Sequence, residues 1–484
     1  MSILFIDIRI GEQRLPDPQL DVLIIGGGFS GTVLAAQLLR RTVSLSVAVM
    51  DRVSLPGRGL AYSTPHKFHL LNVPAGKMSA LPDEPDDFLR WARTNFDASV
   101  QPRSFLPRAV YGEYVGSLLQ RAVTERGQER FRWIQDEALS LQRRRGKRAV
   151  QRRKGAELPA RAVVLATGNF PPADPRIPGL KLASSSFYYP FAWTGDALEG
   201  LPPKGSVLLI GAGLTSVDVI MALKSKGFKG RIHVLSRRGL LPHRHKQTES
   251  WPLFWDEGSP RTTLGLLRLI RDQVRIASTK GVDWRSVVDS LRPVIQRIWR
   301  TLPVPEQKRF LRHLRSYWEV HRHRLAPEIA DVLSDMRAEG QVLLYTGRIS
   351  RYLEHDDTAE ISYRERGVGT QKVLRVHRVI NCTGSETDCR RIDDSLITSL
   401  FVQGFARPDP LFLGLDVDEH GALVDYQGIP SHSLFALGPT RKGCLWETTA
   451  VPEIRQQTSD LAEHLARMLE KSGRRSHHAL EAAG

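Results

Sequence analysis

Cysteine is almost absent from this chain. Cys382, Cys389 and Cys444 are the only three in 484 residues, and no two stand in C-x-x-C spacing. That argues against a disulfide framework and against the dithiol chemistry of disulfide reductases, and it leads us to expect a reducing cytoplasm. Long apolar runs are missing too. The most apolar stretch follows Asp21 and is broken by glycines, so it falls short of the roughly 20 residues that span a bilayer. The opening segment, MSILFIDIRIGEQRLP, carries Asp7 and Glu12 and lacks an apolar core with a cleavage site, so we do not read it as a secretory signal. Acid is scarce relative to base: 52 Asp and Glu against 69 Lys and Arg, a net charge of +17.

Such a charge raises the question of nucleic acid or an anionic membrane as partner. Its distribution answers against both. RRRGKRAVQRRK, from Arg143 to Lys154, surrounds a Gly-Lys turn between two short alternating segments and reads as a solvated hairpin. Residues 261–330 hold 15 Lys and Arg against 6 Asp and Glu, in a helical pattern with no nucleic-acid motif. His313, His321 and His323 lack the accompanying carboxylates of a metal site, so none is expected.

What the chain does contain is one device twice. DVLIIGGGFSGTVLAAQLL begins at Asp21 and SVLLIGAGLTSVDVIMAL at Ser206. In the first, a β-branched run leads into Gly26, Gly28 and Gly31 in G-x-G-x-x-G spacing, then into a helical pattern. The first glycine makes the tight turn, the second lets a pyrophosphate reach the backbone, and the third lets helix pack close on strand. A second strand, LSVAVMDR, ends at Asp51, an acid placed to bind a ribose 2′-hydroxyl. The second copy keeps Gly211 and Gly213 but has Ser216 third, and Ser236, Arg237 and Arg238 stand where the first has its acid. Asp51 would repel a 2′-phosphate, whereas serine and arginines would bind it. The pair therefore predicts FAD in the first site and NADPH in the second, with hydride passing from one to the other.

These motifs predict an α/β fold of two Rossmann-like dinucleotide-binding domains. We place a discontinuous FAD domain over 18–200 and 376–468, an NADP domain over 201–250 and 336–375, a helical insertion over 251–335 and a disordered tail over 469–484. Oligomeric state stays open.

Four stretches then carry a resemblance: GRGLAYSTPHKFHLLNVPAGKMSALPDEPDDFLRW, SRRGLLPHRH, RFLRHLRSYWEVHRHRLAP and GPTRKGCLWETTAVPEIRQQ. Across roughly residues 20 to 468 the chain resembles the bacterial FAD/NAD(P)-binding family that includes FAD-dependent urate hydroxylase and aspartate N-monooxygenase-like proteins. The resemblance implies NADPH-driven monooxygenation with O₂ through a C4a-hydroperoxyflavin. It carries the FAD contacts onto Gly26, Gly28, Gly31 and Asp51, and further onto Arg58, Asn72, Gly168 and Gly438. The F-x-G-x-x-x-H of Baeyer–Villiger and microsomal-type enzymes is absent; the corresponding region reads FYYPFAWTGD. N- or ring-hydroxylation of a small anionic substrate, urate-like or an amino acid, is the expectation, with Arg322 and Arg441 as anion ligands. A flavin reductase or oxidase without oxygen insertion is the alternative. No catalytic acid or base is assigned.

Overall fold

The structure, a computed structural model, describes residues 20–53, 55–144, 147–177 and 185–481. The reading of the N-terminal segment and of the tip of the basic hairpin falls outside these residues. The chain forms two compact units: Met1–Pro65 with Pro74–Asn169 and Thr387–Gly484, and His66–Val73 with Phe170–Glu386.

The first unit opens with β1 (Leu20–Ile25), α1 (Phe29–Arg41) and β2 (Val47–Asp51). There follow α2 (Gly59–Tyr62), α3 (Asp87–Asn95), α4 (Arg108–Arg126), β3 (Phe131–Gln135), a hairpin of β4 (Ala138–Arg144) and β5 (Lys147–Arg152), and β6 (Leu158–Leu165). The second unit contributes β7 (Tyr188–Tyr189), β8 (Ser206–Ile210), α5 (Leu214–Ser225) and β9 (Arg231–Ser236). Its helical run is α6 (Thr263–Thr279), α7 (Trp284–Ser290), α8 (Ile295–Thr301), α9 (Val304–His313), α10 (Arg315–Arg322) and α11 (Pro327–Ala338). Strands β10 (Val342–Glu354), β11 (Ala359–Glu365), β12 (Gln371–Val376) and β13 (Arg378–Asn381) close it. The chain returns to the first unit for α12 (Ser395–Val402), β14 (Ala422–Val424), β15 (Pro430–Ala436), α13 (Lys442–Leu445) and α14 (Val451–Glu481).

The first sheet runs β14-β15-β6-β1-β2-β3, with the β4–β5 hairpin joined to β6. From β15 to β3 it is parallel, as continuous apolar strands require. Val22, Leu23, Ile24, Val47, Ala48 and Val49 are completely buried. Each of the larger ones contributes about 1.5–3 kcal/mol by burial. α1 lies over this sheet with α4 and α14 packed on it. The second sheet runs β12-β11-β10-β9-β8-β13-β7, parallel from β10 to β7.

The fold matches the expected class and places the crossings differently. Residues 170–200 sit with the second unit because β7 hydrogen-bonds to β13 of that sheet, so the chain crosses after Asn169 and returns at Thr387. His66–Val73 also belongs to the second unit: His69 Nε2 lies 2.9 Å from the Asp218 carbonyl on α5, and its ring meets Trp193 edge-on. α14 continues to Glu481 where a tail without structure was expected from 469.

Two candidate dinucleotide sites

In the first unit the chain reverses at Gly26, whose φ of +108° suits glycine and whose added Cβ would overlap the Ala166 carbonyl oxygen. Gly31 makes the close approach of helix to strand: a Cβ there would overlap the Gly26 carbonyl oxygen. Gly28 is different. It is the N-cap of α1 in extended backbone, and a Cβ would reach only Gly59 Cα, at 3.5 Å. That is the space a pyrophosphate needs beside the helix N-terminus. Asp51 accepts a hydrogen bond of 2.6 Å from Gly27 N–H, which holds its carboxyl at the turn. The loop after β2 folds back over the turn, with Gly57 N–H donating to the Gly27 carbonyl and to Thr32 Oγ1, both at 2.9 Å.

Two residues of this site were not legible as site residues. Trp133, on β3, reaches so close to the turn that a Cβ on Gly27 would overlap its ring, which explains the third consecutive glycine. Its indole N–H is buried without an acceptor among the described residues. Thr167, at the end of β6, likewise holds a buried hydroxyl without a partner among them, beside Gly168, where a Cβ would meet nothing within 4 Å. Orphaned donors on β3 and just past β6, with an open glycine beside the second, fit a bound nucleotide better than a filled core.

Arg58 lies 3.8 Å from Glu113 on α4. Gly438 abuts Ser30 in the first turn of α1, and its carbonyl accepts from Thr448 Oγ1 at 2.9 Å, itself bonded to Gln457 on α14. Between them Trp446 stands at φ +60°, ψ −68°, with Glu447 N–H donating to the Leu445 carbonyl at 2.7 Å. That is a γ-turn of the rare, strained kind, centred on a buried tryptophan, and such strain gathers at functional loops. Nearby, the buried Asp409 packs against Gly443, and burial pushes its carboxyl up to about 6. Asn72, expected at this cofactor, falls in the segment that clusters with the second unit.

The second unit repeats the geometry. Gly211 turns at φ +113° against the Cys382 carbonyl, as Gly26 does against Ala166. Gly213 caps α5 with nothing within 4 Å of an added Cβ. Ser216 carries the Cβ that Gly31 lacks, and its hydroxyl donates to the Gly211 carbonyl at 2.6 Å. Burial drives the neighbouring Cys382 thiol up to about 12.

After β9 the two arginines part company. Arg237 is exposed. Arg238 donates to the carbonyls of His313 and Arg312 at 2.9 and 3.1 Å and lies over the Tyr317 ring, closing the C-terminus of α9. Ser236 Oγ accepts from Gly239 N–H at 3.0 Å. Replacing Arg237 by alanine should therefore raise KM for NADPH by about tenfold, the value of one charge-assisted bond, and leave NADH unchanged. Arg238→Ala should instead lower the melting temperature and spare the ratio of the two KM values.

The two arginines expected to hold an anion are both buried. Arg441 is 4% exposed and donates to the Glu419 carbonyl at 3.1 Å. Arg322 is 5% exposed at the end of α10, close enough to Asp289 to help hold that carboxyl below its usual range. Each is buried and engaged within its own unit.

No helix among the described residues is long and apolar enough to cross a membrane. Residues 23–170 match the family model described as FAD-NAD(P)-binding. The chain is 24% identical over 256 residues to the Escherichia coli (strain K12) protein YdhS, a match spanning 46% of each, so the chain aligns with less than half the length of that relative. Among solved structures, the cadaverine monooxygenase DfoA of Erwinia amylovora is 14% identical with a TM-score of 0.64, covering 93% of this chain and 94% of that one. L-lysine 6-monooxygenase of Pseudomonas syringae is 16% identical with a TM-score of 0.63, covering 93% and 100%. Residues 23–170 thus match an FAD/NAD(P)-binding model, in a chain that shares the fold of these monooxygenases.

Proposed function

We propose that the protein is an FAD- and NADPH-dependent monooxygenase acting on a small nitrogen-containing substrate. The carrying observation is the duplicated cradle with opposite 2′ chemistry: Asp51 bonded at one glycine turn, Ser236 and Arg237 at the other. Bound FAD would accept hydride from NADPH and supply the reduced centre at which O₂ reacts. The residues supply the rest. Gly28 and Gly213 leave room for the pyrophosphates, Asp51 holds an unphosphorylated ribose, and Arg237 favours the 2′-phosphate. The N-terminus of α14 and the Gly438–Thr448–Gln457 network form a fixed set of dipoles near the first turn of α1, suited to negative charge on a reduced flavin ring. Cys382 is buried, and the other two cysteines form no close pair with it, so the fold's other common use, disulfide reduction, gains no support.

The fold-level likeness to a cadaverine and an L-lysine monooxygenase supports a primary amine or amino acid over a ring substrate. The test is NADPH oxidation under ¹⁸O₂ with a panel of amines, amino acids and urate. A substrate product gaining one labelled oxygen, with less peroxide per NADPH, is the expected result. Steady NADPH loss with peroxide alone across the panel would favour the oxidase.

A further inference from the structure

The turn after β9 holds fewer cations for a phosphate than its sequence suggests, because Arg238 is committed to α9. The neighbouring strand can make up the difference. β10 runs parallel to β9 with Thr346 opposite Ser236. Thr346 faces the turn, since a Cβ on Gly239 would overlap its hydroxyl. Two residues further along β10, on the same face by strand alternation, stands Arg348. β11 is antiparallel and sets Arg364 directly opposite Arg348. The alternate residues Tyr345, Ile349 and Tyr363 pack with Leu208 and Leu235 in the core, which leaves both arginines on the other face.

Both arginines are exposed, and neither side chain has a hydrogen bond or ion pair among the described residues. On the same sheet Arg375 is paired with Glu360, so carboxylates are available to strands that use them. Like charges directly opposed across an antiparallel pair weaken the ladder. An arginine pair kept without a counter-ion, beside the turn that follows β9, suits a dianion that two guanidinium forks can hold.

We propose that Arg348 and Arg364, with Arg237, bind the 2′-phosphate of NADPH. The inference rests on the NADPH reading above and adds to it the residues that set the preference. It is tested on FAD-saturated protein, so that the first site is filled, by calorimetric titration with 2′,5′-ADP and with 5′-ADP. The wild type should prefer 2′,5′-ADP. The double variant Arg348→Gln/Arg364→Gln should lose about tenfold or more of its 2′,5′-ADP affinity, the value of at least one charge-assisted bond. Its 5′-ADP affinity should hold, its melting temperature should hold or rise as the like-charge pair is removed, and its KM should rise for NADPH alone. Unchanged 2′,5′-ADP affinity in the double variant, or an equal fall for both ligands, overturns the assignment while the NADPH reading stands. A wild type without preference for 2′,5′-ADP overturns both.

Discussion

Gly28→Val should give folded, colourless protein, whereas Gly31→Ala should give little folded protein at all. The two glycines lie three residues apart and do different work. Gly28 has φ −70° and ψ −165°, a conformation open to any residue, and its Cβ would meet only Gly59 Cα at an ordinary 3.5 Å. What a side chain there would occupy is the space the proposed FAD pyrophosphate needs. Losing about two charge-assisted bonds from backbone N–H to pyrophosphate, at roughly 1.5–3 kcal/mol each, weakens FAD by about 10²–10⁴-fold. Gly31 faces a neighbour that cannot yield, because a Cβ would overlap the backbone carbonyl of Gly26. Relief requires α1 to move off β1; overpacking costs about 1–3 kcal/mol, and more where, as here, the clash is with backbone that cannot yield. Absorbance at 450 nm against protein concentration, with circular dichroism for the fold, reads both outcomes. Gly28→Ala serves as a milder control, folded and partly loaded. A fully yellow Gly28→Val protein would remove FAD from this turn.

Much of this geometry was legible in the sequence because the βαβ unit is a local device. The glycine spacing, the β-branched runs and Asp51 all lie within about thirty residues, and their roles follow from sterics that any such unit must satisfy. What the sequence hid was of two kinds. Trp133 arrives at the turn from a strand more than a hundred residues downstream of the glycines, so only the sheet order β1-β2-β3 brings it there. The extra glycine at 27 was the single trace of it in the sequence. The arginines were the other kind. Position in the second motif put Arg238 near an anion, and place in the helical segment and in the loop before α14 put Arg322 and Arg441 there, because a residue list shows cations and not what they already bind. Arg238 closes a helix, Arg441 meets a carbonyl and Arg322 stands by Asp289, while Arg348 and Arg364, without such partners, drew no attention as one residue in each of two ordinary strands. The domain boundaries moved for a related reason. A two-residue strand, β7, decides the assignment of residues 170–200, and no periodicity reveals a strand that short.

Asp289→Ala should destabilise the helical insertion strongly, on the scale of truncating one of its buried tryptophans. Arg324 is 3% exposed and donates to both oxygens of Asp289 at 3.0 and 2.9 Å. It also lies over the Trp284 ring, 5.2 Å from the centroid. Burial by itself would raise the Asp289 carboxyl, yet the bond from Arg324 and the charges of Arg324, Arg292 and Arg322 hold it below its usual range. Truncating the aspartate leaves a buried guanidinium uncompensated, with two more arginines close to it, and breaking a buried pair in this way costs about 3–5 kcal/mol. The pH dependence has a definite sign. The native carboxyl releases its proton more readily than the unfolded one, so its contribution is complete above the unfolded value near 4 and is lost as pH falls below that. Between neutral pH and about 3, wild type should therefore lose stability that Asp289→Ala lacks already, and the two unfolding curves should converge. Chemical denaturation followed by tryptophan fluorescence at several pH values reads this, since Trp284 reports on the cluster directly. A gap between the two proteins that stays constant from pH 7 to pH 3 would mean that Asp289 contributes through packing and not through its charge.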